Sequence, residues 1–140
     1  MPVKTGKRRM ARELVLQMLF QADMGQQNYD QVRKTFWDQR SNVGDEARGF
    51  AEDLFRIAED QSDRIKELIE KHASRWSMDR MSAVDRNVIR TGVAEMLGFR
   101  TPRAIVINEA LEIARKYSSD DSVQFVNGVL DSIAKALGRK

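Results

Sequence analysis

Lys7, Arg8, Arg9 and Arg12 crowd together near the start of the chain, Lys4 stands just ahead of them, and no acid precedes Glu13. A cluster of fixed positive charges does one kind of chemistry well. It neutralises phosphates or another anionic surface and releases counterions as it does so. A solvated basic tail has the same composition, so both readings stand on this feature alone. A second group lies near the far end. Lys116 and Tyr117 lead into the polar run Ser118-Ser119-Asp120-Asp121-Ser122, and Phe125 follows. Aromatic rings stack on the faces of unpaired bases, and carboxylates or amides read their edges. The plainer reading is a helix–helix turn beside a half-buried phenylalanine.

Catalysis has few means here. His72 is the single histidine, it falls on an apolar stripe, and there is no cysteine. No glycine-rich phosphate loop, Ser/His/Asp set or metal-ligand spacing occurs. The acidic pairs Glu52/Asp53 and Asp120/Asp121 are adjacent in sequence and diverge on a helix. The expectation is a non-catalytic protein with no cofactor and no metal. Lack of cysteine removes disulfides and fits a reducing cytoplasm, the compartment expected for this chain. No apolar run approaches the length of about 18 needed to cross a membrane. The basic N-terminus runs into an amphipathic helix, not the apolar core of a signal peptide.

The elements that must position these residues all read as helices. With 140 residues, 41% hydrophobic and 32% charged, the chain can bury a real core. Residues 1–6 hold Pro2 and Gly6 without periodicity and are expected to be loose. A helix over about 7–24 carries a core stripe of Ala11, Leu14, Val15, Met18 and Ala22. At about 100° per residue, Leu16 and Phe20 fall on its opposite face. Either that face is packed too, or it offers a binding surface. Further helices are expected over about 29–40 and 46–60, the second capped by Asp45, and then one capped by Ser62 that carries Ile65, Leu68, Ile69 and His72 on one side. Trp76, Met78 and Met81 read as an irregular link. The next helix opens on Ser82-Ala83-Val84-Asp85, a capping box with its carboxylate at the third position. Its apolar second half suggests the axle of the fold. Gly92 there implies close approach by another helix, and Gly98 reads as its C-terminal stop before Pro102. Arg86 and Arg90, like charges one turn apart, need acidic partners from neighbouring helices. Two more helices end near Tyr117 and Leu137, the last carrying Phe125 off its core stripe. With no period-two alternation, the class is all-α, a single domain of about seven helices.

Three blocks taken together carry a resemblance. They are Arg8-Arg9-Met10-Ala11-Arg12-Glu13 with Leu16-Gln17-Met18-Leu19-Phe20 behind it, then Val84-Asp85-Arg86-Asn87-Val88-Ile89-Arg90, then Ile107-Asn108-Glu109-Ala110 running on to Phe125-Val126-Asn127-Gly128-Val129-Leu130-Asp131. In order and spacing the chain resembles the bacterial transcription antitermination factor NusB family over nearly its whole length. The resemblance implies two small helical bundles packed across each other. It also implies an RNA-binding antitermination factor that binds boxA RNA of ribosomal RNA operons as a heterodimer with the ribosomal protein NusE, and joins NusA and NusG on RNA polymerase. Carried over, Arg8, Arg9 and Arg12 would meet RNA phosphates, and Asp121 and Phe125 would meet bases. Phe20 and Asp85 match positions that face NusE. The family often has tyrosine where Phe20 stands, and phenylalanine brings no hydroxyl there. Lys116 joins the RNA-binding set by its place beside the polar loop, and Leu16 the partner surface by its place beside Phe20. That surface could serve a homodimer or NusE. Rival readings are the helical RNA-binding domain that precedes some ribosomal RNA cytosine methyltransferases, a helix-turn-helix DNA regulator, and a helical protein-interaction module that binds no RNA. The methyltransferase reading requires an S-adenosylmethionine site for which this chain leaves no room, and the DNA reading requires an exposed basic recognition helix that the later helices do not supply.

Overall fold

The computed structural model describes residues 2–73 and 78–140, with side chains from residue 6 onward apart from that of residue 79. Its helices are α1 (Pro2–Gly25), α2 (Tyr29–Phe36), α3 (Asp45–Asp60), α4 (Ser62–His72), α5 (Ala83–Gly98), α6 (Arg103–Tyr117) and α7 (Asp120–Ala136). Two single 3₁₀ turns, Trp37–Gln39 and Met78–Arg80, extend the links after α2 and before α5. Among the described residues there is no strand. Trp76 of the expected irregular link lies outside the described residues.

Helix starts follow local hydrogen-bond chemistry. Asn28 and Gln31 form a reciprocal capping box at α2: the Gln31 N–H donates to Asn28 Oδ1 at 2.9 Å, and the Asn28 N–H donates to Gln31 Oε1 at 2.8 Å. Ser82 caps α5 and Ser119 caps α7 through the N–H groups of Asp85 and Ser122. Three expected boundaries move. α1 begins at Pro2 instead of residue 7; proline suits a first helical turn, where its missing N–H has no intrahelical partner to lose. Asp45 and Ser62 are first helical residues, and Gly44 and Gln61 hold the cap positions without side-chain capping bonds.

α1, α2 and α3 pack together, as do α4, α5, α6 and α7. α5 joins the two groups by packing on α1 and α3 as well as on α4, α6 and α7, and most of its residues are buried. The core runs through Val15, Met18 and Leu19 of α1, Leu54 and Phe55 of α3, Ile89 of α5, and Leu130 and Ile133 of α7. Gly92 faces Leu130, whose Cδ2 would lie 3.0 Å from an added Cβ; that is the close approach its position implies. Gly98 is not a left-handed stop. It is the last residue of α5, and a Cβ there would fall 2.1 Å from Ile57 Cδ1 of α3. Its smallness serves helix packing. His72 joins α4 to α7, with Nδ1 2.7 Å from the Ser132 hydroxyl.

Candidate nucleic-acid interface

The basic residues of α1 diverge to three environments, because successive side chains on a helix point about 100° apart. Lys7 is exposed and reaches Glu46 of α3 at 3.5 Å. Arg8 is also exposed, with its guanidinium 4.4 Å from the centre of the Phe50 ring. Arg9 turns toward α6. Its Nε and Nη2 donate to the two carboxylate oxygens of Glu109 at 2.9 and 2.6 Å. Its side chain stays 45% exposed, so one side of the guanidinium faces solvent.

Arg12 corrects the expectation of a phosphate contact. It is 4% exposed. Its Nε and Nη2 donate to Glu95 at 2.7 and 2.8 Å, and Nη1 reaches Glu109 at 3.4 Å. A guanidinium fork matched to a buried carboxylate in this way is a core ion pair, not a surface ligand. It ties α1 to α5 and α6. Leu16 is corrected too. It is 3% exposed and lines a small pocket together with Val88, Gly92, Val106 and Ala110 of α5 and α6. The face of α1 opposite its first stripe is therefore packed, and of the pair read as outward only Phe20 keeps partial exposure.

Glu109 has a consequence for stability. Hydrogen bonding by Arg9 is the largest influence on its carboxyl, and together with the charges of Arg9 and Arg12 it outweighs burial and holds the pKa below the ordinary carboxylate value. A carboxylate depressed in the fold stabilises the protein at pH above its unfolded pKa. That stability is lost as pH falls through the lower folded value. Glu109→Gln should therefore flatten the acid limb of stability against pH, measured as urea midpoints from pH 6 down to pH 3.

α6 runs parallel to α1, with Arg9 beside Glu109 and Glu13 beside Lys116. α5 runs antiparallel to it, with Arg12 beside Glu95 and Asp23 beside Arg86. Lys116 Nζ and the Tyr117 hydroxyl both donate to Glu13 Oε1, at 2.8 and 3.0 Å. Lys116 is exposed and its pKa is raised, first by the Glu13 hydrogen bond. Asp23 accepts from Arg86, Asn87 and Arg90, so the two like charges of α5 find one acidic partner on α1, as their spacing requires. Phe20 lies between Glu13 and Asp23 on α1. It is partly exposed and packs on the core.

The polar loop and the first turn of α7 form the second part of the site. Asp121 is exposed, and Phe125 is partly exposed while still packed on the core. Both line an open cleft with Arg80, Met81, Ser82, Asp85 and Ser122. On a helix, positions 121 and 125 are neighbours across one turn, so a carboxylate and a ring edge face the same space. Asp85 is 8% exposed at the cleft floor. Its carboxylate does not complete the expected capping box. Oδ1 accepts from the Ser118 hydroxyl at 3.2 Å and Oδ2 from the Ser122 hydroxyl at 3.0 Å. Any partner contact at Asp85 therefore shares a carboxylate already engaged within the chain.

A family model described as NusB matches residues 9–135. The chain belongs to the NusB family. The transcription antitermination protein NusB of Koribacter versatilis (strain Ellin345) is 59% identical over 98% of this chain and 94% of its own length. That of Sorangium cellulosum (strain So ce56) is 43% identical over 96% of both. Among solved structures, T. maritima NusB superposes with a TM-score of 0.82 at 35% identity, covering 91% of this chain and 90% of that one. A crystal structure of the antitermination factors NusB and NusE in complex with dsRNA superposes at 0.83 and 31% identity, covering 93% and 97%. The NusB family is one of antitermination factors and not of enzymes.

On this NusB-like frame, sequence reasoning passed over three groups. Arg80 places an exposed cation at the rim of the Asp121–Phe125 cleft. Ser118 and Ser122 hold Asp85. Glu95 and Glu109 neutralise Arg12. The last had a signal: an acid in the apolar half of α5 demands a buried cation somewhere.

Proposed function

We propose that this chain is an RNA-binding transcription antitermination factor that takes boxA RNA together with NusE and acts with NusA and NusG on RNA polymerase at ribosomal RNA operons. The observation that carries the reading is the likeness, over nearly the full chain, to a NusB solved with NusE and dsRNA. Physical support comes from the cleft, where exposed Asp121 and partly exposed Phe125 share one wall. A ring and a carboxylate at such a wall suit stacking and edge reading of unpaired bases. Exposed Arg8, half-exposed Arg9 and exposed Lys116 supply phosphate contacts, and Arg12 sets their helix in place. The role requires no catalysis.

Phosphate contacts make affinity fall with salt, by about 0.7 in log–log slope for each single-strand phosphate neutralised. Arg8→Ala and Arg9→Ala should weaken binding to boxA and scrambled RNA alike and flatten that slope. Fluorescence titrations at several salt concentrations check this; an unchanged slope in both variants removes the two residues from the interface. For the protein partner, Phe20→Ala should lower NusE affinity measured by calorimetry at least about tenfold, the loss typical of a buried aromatic contact. Unchanged affinity removes Phe20 from that surface.

A further inference from the structure

Asp85 is a buried carboxylate with no cation bonded to it among the described residues. It stands in the first turn of α5, where the helix dipole favours a negative charge. Its two oxygens are divided between the hydroxyls of Ser118 and Ser122. Ser118 is the C-cap of α6, and its own N–H continues the α6 ladder to the Ala114 carbonyl at 2.8 Å. Ser122 belongs to the first turn of α7, and its N–H is fixed by the Ser119 cap. One carboxylate thus grips the C-cap of one helix and the first turn of the next, across a connection of only Ser118 and Ser119. Ser122 is the sequence neighbour of Asp121 and lies one turn before Phe125. Whatever orients Ser122 orients both base-reading candidates.

We infer that Asp85, Ser118 and Ser122 form a positioning clamp that sets the angle of the first turn of α7, and through it the sequence preference of RNA binding. The inference rests on the function proposed above. It gives Asp85 a task that does not depend on touching a partner protein. It also places a partner bound at the start of α5 one hydrogen bond from the groups that read RNA, so partner binding and base reading become coupled through the clamp. Both hydroxyls donate to the one carboxylate, at 3.2 and 3.0 Å. Deleting both hydroxyls leaves a buried carboxylate without those donors and the turn without its anchor.

The test compares boxA and scrambled RNA in titrations without NusE, using the full chain, Ser118→Ala/Ser122→Ala, Ser122→Ala alone and Ser122→Thr. These substitutions change no charge. Scrambled-RNA affinity and salt slope should hold, while the boxA preference falls about fivefold or more in the double variant and less in Ser122→Ala. Ser122→Thr keeps the hydroxyl and should keep the preference. General destabilisation lowers the active fraction and scales both RNAs equally, so the ratio isolates positioning from folding. A preference that survives the double substitution, or an equal loss on both RNAs, overturns the clamp alone. A wild-type chain that shows no boxA preference overturns the proposed function and the clamp with it.

Discussion

Arg12→Ala should lower the unfolding free energy by about 3–5 kcal/mol, the usual cost of breaking a buried ion pair from one side. The side chains of Arg12 and Glu95 are 5% and 1% exposed. Removing the guanidinium strands the Glu95 carboxylate in the core with its desolvation uncompensated. It also frees one donor from Glu109 and removes a cation 5.5 Å from the Phe50 ring. A loss of this size is a large part of the 5–15 kcal/mol that holds a typical domain together. Arg9→Ala, by contrast, breaks a pair whose arginine is half exposed and leaves Glu109 its bond to Arg12, so it should cost less than Arg12→Ala. Arg12→Met combined with Glu95→Leu removes both charges and should recover most of the loss, since apolar replacements of buried pairs are often neutral. Urea denaturation of the four proteins settles the point. A loss below about 1 kcal/mol for Arg12→Ala contradicts the core assignment.

Phe125→Ala should reduce the preference for boxA by roughly 1–3 kcal/mol, about five- to 150-fold, if its ring stacks on a base. Affinity for scrambled RNA should change far less, because phosphate contacts carry most of that binding. Phe125 is partly buried against the core, so truncation also costs some stability. A thermal melt alongside the titration separates the two effects. Equal loss on boxA and scrambled RNA contradicts base stacking. A duplex of the same sequence makes a useful further arm, since bases paired in a duplex do not offer a free face.

Helix count, the central place of α5, the acidic partner of Arg86 and Arg90 and the off-stripe position of Phe125 were legible from periodicity and capping residues. These depend on local spacing, which one sequence displays. Arg12 and Leu16 were not legible because both depend on a second packed face of α1. The 3.6-residue pattern marks one stripe and treats charged side chains beyond it as solvated. Only α5 and α6, whose Glu95 and Glu109 stand 83 and 97 residues beyond Arg12, bury the other face. Gly98 was misread for a similar reason. A glycine near a helix end suggests a left-handed stop, but the atom that excludes a side chain there belongs to Ile57 in another helix. The Asp85 clamp joins α5 to the α6–α7 turn, and no spacing within a single element encodes it.

The most direct measurement of the central claim is the titration of boxA RNA against a scrambled control, with and without NusE, at two salt concentrations. Both RNAs should bind more weakly at higher salt, the boxA preference should persist at both concentrations, and boxA should bind more tightly when NusE is present. No preference for boxA under any of the four conditions, or boxA affinity indifferent to NusE, would contradict that claim.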